Sequence, residues 1–385
     1  MSGARRDDYF HGVDAVRFIA ALMVAVFHIG LACWAAPATT TAARLLNRAY
    51  ELPALTAWIW FGWVGVQIFF VVSGFVIATA AEGVSPLAFL KSRIVRLYPV
   101  AWLASTLVLI VLAVNGLPPS PRAYAASMLL LPTGPWIDGQ YWTLGQEIMF
   151  YGLIFLLLAA RRFGWIGNLA TALGLASAAY ILVLTLYPGI GFLRTGFWRL
   201  TLLYFGIYFA IGIFVRLWMT GRLTTAMGAS WAVCLLAAIL QTRLHALSMA
   251  SALPDAGMNL ADYWYVPTLI FFAGTLAIMA SARWHEAVSR LPGAVLKALR
   301  AAGLATYPLY LIHFSIGVAL ARTFVLWGMA PAAALVVTVA TLVITSMFIA
   351  LIVEPAVRRR LRALLNAAEL RFISPVGSLN FLQRT

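Results

Sequence analysis

Residues 57–80 read AWIWFGWVGVQIFFVVSGFVIATA and contain no Asp, Glu, Lys or Arg. A helix of about 20 mostly apolar residues crosses the hydrocarbon core of a bilayer, so this stretch predicts a transmembrane helix. Nine further apolar runs along the chain have a similar length. The ten predicted spans cover residues 16–36, 57–80, 97–114, 142–160, 165–187, 198–218, 223–242, 262–282, 301–324 and 331–353.

The composition excludes an ordinary soluble globule. The chain has 385 residues, of which 63% are hydrophobic and 10% charged, whereas soluble proteins have roughly 45–50% and about 25%. So few charged side chains do not cover a soluble surface. We therefore predict an all-α integral membrane protein, a single domain over residues 1–385 with no soluble domain and with a basic tail at 354–385.

The net charge of +15 comes from 27 basic and 12 acidic residues. In a soluble chain this excess would suggest a nucleic-acid partner. With ten spans, both termini lie on one side of the membrane, and 19 basic residues fall on that side, six on the other and two within spans. Because cytoplasmic loops collect Lys and Arg, both termini are predicted to be cytoplasmic, and no nucleic-acid partner is expected.

The first span contains ionisable residues in the string DAVRFIAALMVAVFHIG, residues 14–30. The eleven-residue step from Arg17 to His28 ends about 20° past three full helical turns and rises roughly 16 Å, so both side chains share one face. Asp14 precedes Arg17 by three residues and can pair with it. Charged groups inside spans are functional candidates. The alternative is that Arg17 snorkels to the headgroups and His28 bonds a neighbouring helix.

A second cluster lies in SPLAFLKSRIVRLYPV, residues 85–100. Its Ser-Pro start and apolar stripe predict an interfacial helix that bends near Pro99 into the third span. Arg93 and Arg96 are neighbours on this helix, and two adjacent guanidinium groups repel each other unless an anion lies between them. The alternative is ordinary enrichment of Arg in a cytoplasmic loop.

Two further candidates lie in later spans. Glu147 follows the start of the fourth span, flanked by Trp142, Gln146 and Tyr151, and can orient an imidazole or bind hydroxyl groups; alternatively, its charge only stabilises a helix N-terminus. His313 lies near the centre of the ninth span, where a hydrogen-bonding core role is the alternative. The chain has no HxxxH or HxH spacing, so no metal site is expected.

Six motifs follow one another along the chain. They are FHGVDAVRFIAALMVAVFH (10–28), GWVGVQIFFVVSGFVI (62–77), FLKSRIVRLYP (89–99), YWTLGQEIMFY (141–151), TYPLYLIHFSI (306–316) and VEPAV (353–357). In this order they resemble the acyltransferase-3 family of ten-helix membrane proteins, which acylate mostly sugars of bacterial surface and exported polysaccharides. The fourth motif is most similar to the exopolysaccharide-production branch.

The resemblance implies a multi-pass protein of the bacterial inner membrane that takes an acyl group from cytoplasmic acyl-CoA, usually acetyl-CoA, to a carbohydrate hydroxyl on the periplasmic side. It makes His28 the general base and Arg93 and Arg96 ligands of the CoA phosphates. Arg17 would line the donor channel, and Glu147 would orient the acceptor or the imidazole. The supporting residues are Asp14, Gln67 (where the family frequently has Asp), Ser73, Tyr98, Trp142, Gln146, Tyr151 and His313.

Two other functions remain open. In a proton-coupled secondary transporter, His28, Glu147 and His313 would form a relay. Transporters often consist of two related halves, whereas here the polar motifs are concentrated in the first four spans, which favours an enzyme. A structural partner in a polysaccharide assembly complex would make His28 dispensable.

Overall fold

The structure is a computed structural model that describes residues 9–194, 198 and 201–379. Its regular elements are all helices, and no β-strand occurs within these residues, which confirms the all-α fold. Short helices at Thr41–Leu46, Pro121–Met128 and His285–Val288 lie in the connections. The main helices are α1 (His11–Ala35), α2 (Pro53–Ala81), α3 (Pro86–Val114), α4 (Gly139–Ala159), α5 (Phe163–Leu186), α6 (Gly206–Met219), α7 (Thr225–Ala252), α8 (Leu260–Arg283), α9 (Gly293–Ile312), α10 (Ser315–Leu326), α11 (Pro331–Phe348) and α12 (Glu354–Leu379).

By length and composition, eight helices in the described residues can cross a membrane, and the last of them, Pro331–Ala367, joins α11 to α12 through the π-helical turn Ile349–Val353. The count is nine when α9 and α10, which are bent by 79° relative to each other, are taken as one span. The span predicted at 301–324 falls on this bent pair, which is interrupted at residues 313–314. The sixth predicted span, 198–218, begins partly outside the described residues, and α6 is only 14 residues long. Because α6 is buried along most of its length, it is surrounded by protein and need not match the thickness of the bilayer.

The interfacial helix and third span predicted separately form one helix of 29 residues, α3, with Pro99 inside it. Ser85 caps this helix by accepting a hydrogen bond from the Ala88 amide at 3.3 Å. A proline within a helix leaves the carbonyl four residues earlier without its partner. Here Arg358 Nε of α12 donates to that carbonyl, Val95 O, at 3.1 Å, so a contact from another helix compensates for the proline.

Glycines allow the interior helices to pack backbone to backbone. A Cβ atom at Gly74 of α2 would lie 2.2 Å from Phe209 O of α6, and one at Gly212 of α6 would lie 2.1 Å from Val71 O. Similarly, Gly65 of α2 faces Ala20 O of α1. Small residues at such crossings are typical of membrane helices. The polar face of α1 is thereby held inside the bundle, between α2 and α9.

His28 and His313 both lie where a helix is irregular. His28 begins a π-helical turn, His28–Ala32, and His313 lies in the two-residue break between α9 and α10. Asp138 Oδ2 accepts a hydrogen bond from the Ser315 amide at 3.0 Å, and Gln140 Nε2 donates to Leu311 O at 2.9 Å. These bonds pair the Ser315 amide and the Leu311 carbonyl, which lie beside the break. Backbone polar groups inside a membrane need such partners.

Candidate functional site

A cavity of about 540 Å³ lies among α1, α2, α3, α4 and α9, with α12 at its mouth. The mouth is at the basic end of the bundle, which we define as the end where Arg93 and Arg358 lie. Helix α1 contributes one charged face and α3 another, as their spacing predicts. The polar residues that line the cavity include Tyr9, Asp14, Arg17, Ser73, Arg93, Arg96, Thr143, Glu147, Tyr151, Tyr310, Arg358 and Arg362.

Asp14 and Arg17 form the ion pair that their spacing predicts, with Nη1 of Arg17 3.8 Å from Oδ1 of Asp14. The Tyr9 hydroxyl donates a hydrogen bond to Oδ2 of Asp14. Asp14 is buried against Gly303 of α9, where a Cβ atom would lie 2.2 Å from its carboxyl carbon. Arg17 is therefore held in the cavity wall rather than snorkelling freely to the headgroups.

Arg93 and Arg96 both line the cavity, but their partners differ. Arg96 Nη1 lies 3.0 Å from Oε1 of Glu354, a buried carboxylate at the start of α12. The Arg93 guanidinium packs over the rings of Phe89 and Tyr151, at 5.7 and 6.0 Å from their centroids. From the sequence, a bound anion is expected to reduce the repulsion between these two guanidinium groups. The tertiary structure places a carboxylate of the protein, Glu354, beside one of them.

Glu147 is anchored by two hydroxyl groups. Ser73 Oγ donates to its Oε1 at 3.0 Å, and Tyr151 Oη donates to its Oε2 at 3.1 Å. No hydrogen bond connects Glu147 with His28 in the part of the chain that the structure describes. Two roles are predicted for this carboxylate. Among the described residues, the structure supplies no direct contact for one of them, the orientation of the His28 imidazole.

His28 and His313 form a hydrogen-bonded pair. Nδ1 of His28 lies 3.0 Å from Nε2 of His313 and 3.0 Å from Val24 O, and Nδ1 of His313 lies 2.7 Å from Tyr310 O. A carbonyl oxygen only accepts, so Nδ1 of His313 carries the proton in the neutral ring and its Nε2 accepts from His28 Nδ1–H. This assignment leaves the lone pair of His28 on Nε2.

The histidine pair lies beyond the inner end of the cavity. Tyr310 lines the cavity, and His313 follows it by three residues, roughly 4.5 Å along a helix. The Tyr310 hydroxyl accepts a hydrogen bond from Thr143 at 3.0 Å at this inner end. The cavity therefore extends from the arginines toward Tyr310, whose carbonyl oxygen contacts His313.

Besides His313, four predicted supporting residues do not line the cavity. Tyr98 donates to Leu129 O at 3.1 Å, Trp142 packs against aromatic rings, and Gln146 is buried elsewhere. Gln67, in the amide orientation that satisfies its polar atoms, donates to the carbonyls of its own helical turn at 3.1 and 3.2 Å. An ionised Asp has no N–H to make these bonds, which explains why an amide suits this position.

Sequence reasoning missed the contribution of α12. Glu354, Arg358 and Arg362 recur at four-residue spacing, so they share one helix face, and both arginines line the cavity. The Glu354 position stood in a recognised motif, yet its partner Arg96 lies 258 residues earlier. The i,i+4 spacing was the available signal, but it does not reveal which helix the face contacts.

Fold and site together define an all-helical membrane protein with a basic cavity inside its bundle. The acyltransferase-3 family model, described as an acyltransferase domain, matches residues 10–351. This match covers most of the chain, and the protein belongs to that family. Comparison with curated proteins and with solved structures gave no match. Family membership supports a multi-pass membrane transferase that moves acyl groups, while the exopolysaccharide branch stays a prediction.

Proposed function

We propose that the protein transfers an acyl group, acetyl in the simplest case, from cytoplasmic acyl-CoA to a hydroxyl group of a surface or exported glycan on the periplasmic side of the bacterial inner membrane. The observation that carries the proposal is the line from the basic cavity mouth through Tyr310 to the paired His28 and His313. A phosphorylated donor fits the mouth, and a proton acceptor lies at the far end.

The donor end is argued from charge. Among the described residues, five arginines line the cavity: Arg17, Arg93, Arg96, Arg358 and Arg362. Guanidinium groups bind phosphate oxygens through paired hydrogen bonds. The apolar inner wall, which includes Val66, Phe69 and Leu144, suits the extended pantetheine arm that carries the thioester toward His28.

The chemical step needs a base at the acceptor hydroxyl. Nε2 of His28 would accept the hydroxyl proton while the oxygen bonds to the thioester carbonyl carbon. The C–S bond then breaks, and the leaving thiolate takes the proton back from the imidazolium. The products are an O-acyl ester and free CoA. His313 would hold His28 in the tautomer whose lone pair is on Nε2.

The remaining charged residues have positioning roles in this scheme. Arg17 and Glu147 both line the cavity, and Glu147 is fixed by Ser73 and Tyr151. Glu147 would keep Arg17 directed at the donor and offset its charge, or orient the acceptor. The carbohydrate would approach His28, a half-buried residue, from the opposite end of the bundle.

The test uses the purified full chain in lipid nanodiscs with labelled acetyl-CoA and lipid-linked or polymeric glycans. We expect transfer of label, and a fall of roughly 10²–10⁴-fold in His28→Ala, the usual contribution of a general base. His245→Gln, a histidine outside the cavity lining, is the matched control and should keep full activity. Undiminished transfer in His28→Ala would refute the base assignment.

The same assay separates the transporter alternative. A hydrogen-bonded histidine pair can also relay a proton, so a proton-coupled carrier has one observation in its favour. A carrier would move solute into proteoliposomes without consuming acyl-CoA. Solute flux in the absence of donor, with no labelled ester formed, would favour transport over transfer.

A further inference from the structure

Helix α12, which follows the residues that the family model matches, packs against α3. Glu354 Oε1 lies 3.0 Å from Arg96 Nη1 and 3.2 Å from Arg358 Nε. Arg358 Nε also donates to Val95 O at 3.1 Å. The family match ends at residue 351, so α12 is a feature of this chain that the match does not cover.

The charges at the cavity mouth do not balance. Four arginines, 93, 96, 358 and 362, line this part of the described structure, and Glu354 is the carboxylate that pairs with two of them. The cluster thus keeps an excess of three positive charges. Arg362 forms no hydrogen bond or ion pair with another described residue. Like charges gathered at one opening repel each other unless an anion binds there.

The four arginines lie at different depths. Arg96 is level with Glu354 because the two are in contact. Along the helix axes, the backbone of Arg93 lies roughly 4.5 Å nearer the mouth than that of Arg96, and the backbones of Arg358 and Arg362 lie about 6 and 12 Å beyond Glu354. The Arg358 side chain reaches back, so that its Nε contacts the same Glu354 oxygen as Arg96 does. Arg362 is also exposed. Arg362 therefore forms the outermost part of the cluster, Arg358 links it to the level of Glu354, and Arg93 and Arg96 lie on α3 at the inner side.

We propose that Arg358 and Arg362 bind the 3′-phosphate of the acyl-CoA donor, while Arg93 and Arg96 bind its diphosphate. The assignment rests on the proposed function. In CoA the ribose 3′-phosphate is farther from the thioester than the diphosphate is, so when the thioester points inward this phosphate belongs at the outermost arginine, Arg362, and at its neighbour one turn earlier, Arg358. A phosphomonoester carries about −2 charge at neutral pH, which matches two guanidinium groups.

The test compares CoA with 3′-dephospho-CoA, measured as equilibrium binding to the full chain in nanodiscs. Wild-type protein should bind CoA roughly 10- to 100-fold more tightly, the gain expected from charge-assisted hydrogen bonds to one phosphate. The double variant Arg358→Ala/Arg362→Ala should bind both ligands with equal, weak affinity. Arg362→Ala alone should lose part of the preference while keeping the Glu354 contacts, which guards against a folding artefact.

The matched control is Arg359→Ala/Arg360→Ala, which removes two exposed arginines of the same helix that do not line the cavity. It should keep the full preference for CoA. An equal loss in this control, or an unchanged preference in the double variant, would overturn the assignment. Equal affinity of the wild-type protein for CoA and 3′-dephospho-CoA would also overturn the assignment, but it would leave the donor proposal intact. If the wild-type protein binds neither ligand, the proposed function itself is contradicted.

Discussion

His313 makes two hydrogen bonds that fix the state of its neighbour. Its Nδ1 donates to Tyr310 O at 2.7 Å, and its Nε2 lies 3.0 Å from Nδ1 of His28. It is fully buried and absent from the cavity lining. In the proposed mechanism it never touches the substrate, and its role is to set the tautomer and the ring orientation of the base.

We expect His313→Leu to lower kcat by roughly 10²-fold, because His28 loses the acceptor that holds its Nδ1–H. His313→Gln offers an amide oxygen near the former Nε2 position and should restore part of this loss. KM for acetyl-CoA should stay unchanged in both variants, since His313 lies outside the cavity lining. Steady-state kinetics measure the split, and equal kcat for the Leu and Gln variants would contradict a role through hydrogen bonding.

At the scale of helices, the break between α9 and α10 depends on Asp138, a buried residue in the connection before α4. Its carboxylate accepts hydrogen bonds from Ser315 N at 3.0 Å, Gly139 N at 3.0 Å and Gln140 Nε2 at 3.2 Å. The break places His313 beside α1. The position of an imidazole thus depends on a carboxylate more than 170 residues away in sequence.

Asp138→Ala should therefore destabilise the protein and slow transfer. It leaves buried donors without an acceptor, each costing about 1–3 kcal/mol, and releases the break that positions His313. Thermal unfolding in nanodiscs and kcat are the measurements. Asp255→Ala, at an exposed position, is the control and should leave both values unchanged. A wild-type unfolding temperature in Asp138→Ala would contradict this account.

The crossing of α2 and α6 makes a second prediction at this scale. An alanine at Gly212 would bring Cβ within 2.1 Å of Val71 O, so the helices must separate. We expect Gly212→Ala to cost about 1–3 kcal/mol or more of stability, as overpacking does. Gly228→Ala, where a Cβ atom meets nothing within 4 Å, should be neutral or slightly stabilising. Similar unfolding temperatures for the two variants would contradict the close packing.

At the scale of the whole molecule, charged side chains gather at one end of the bundle. Besides the cavity arginines, Glu82 at the end of α2 binds Arg216 Nη2 at 3.1 Å and Arg222 Nη1 at 2.8 Å. Burial raises the pKa of Glu82, but the hydrogen bond and charge of Arg216 and the charge of Arg222 outweigh it and hold this pKa below its ordinary value. The carboxylate stays ionised, so the ion pairs at this end persist at neutral pH.

The predicted orientation is testable by cysteine labelling. Cys33 and Cys234 are both fully buried, so the wild-type background should be low. Arg359→Cys and Pro118→Cys place thiols at exposed positions on opposite predicted sides. In intact spheroplasts an impermeant maleimide should label Pro118→Cys, and it should label Arg359→Cys only after permeabilisation. The reverse pattern would overturn the assignment of the basic end to the cytoplasm.

Local sequence predicted most of the fold because a bilayer imposes a local requirement, a long apolar run. It missed the break at His313 and the burial of most of α6, since both depend on neighbouring helices. It also placed Arg17, Arg93, Arg96 and Glu147 among the candidates, and all four line the cavity. It could not exclude Tyr98 or Gln67, because motif membership does not say which way a side chain faces.

The sequence by itself determined the all-α membrane fold and the ionisable residues within its helices, because both follow from apolar length and helical period. Only the tertiary structure decided which of these residues meet. His28 and His313 are 285 residues apart and Arg96 and Glu354 are 258 apart, and helix packing alone brings such pairs into hydrogen-bonding distance. The site is therefore a property of the bundle, although every helix in it is specified locally.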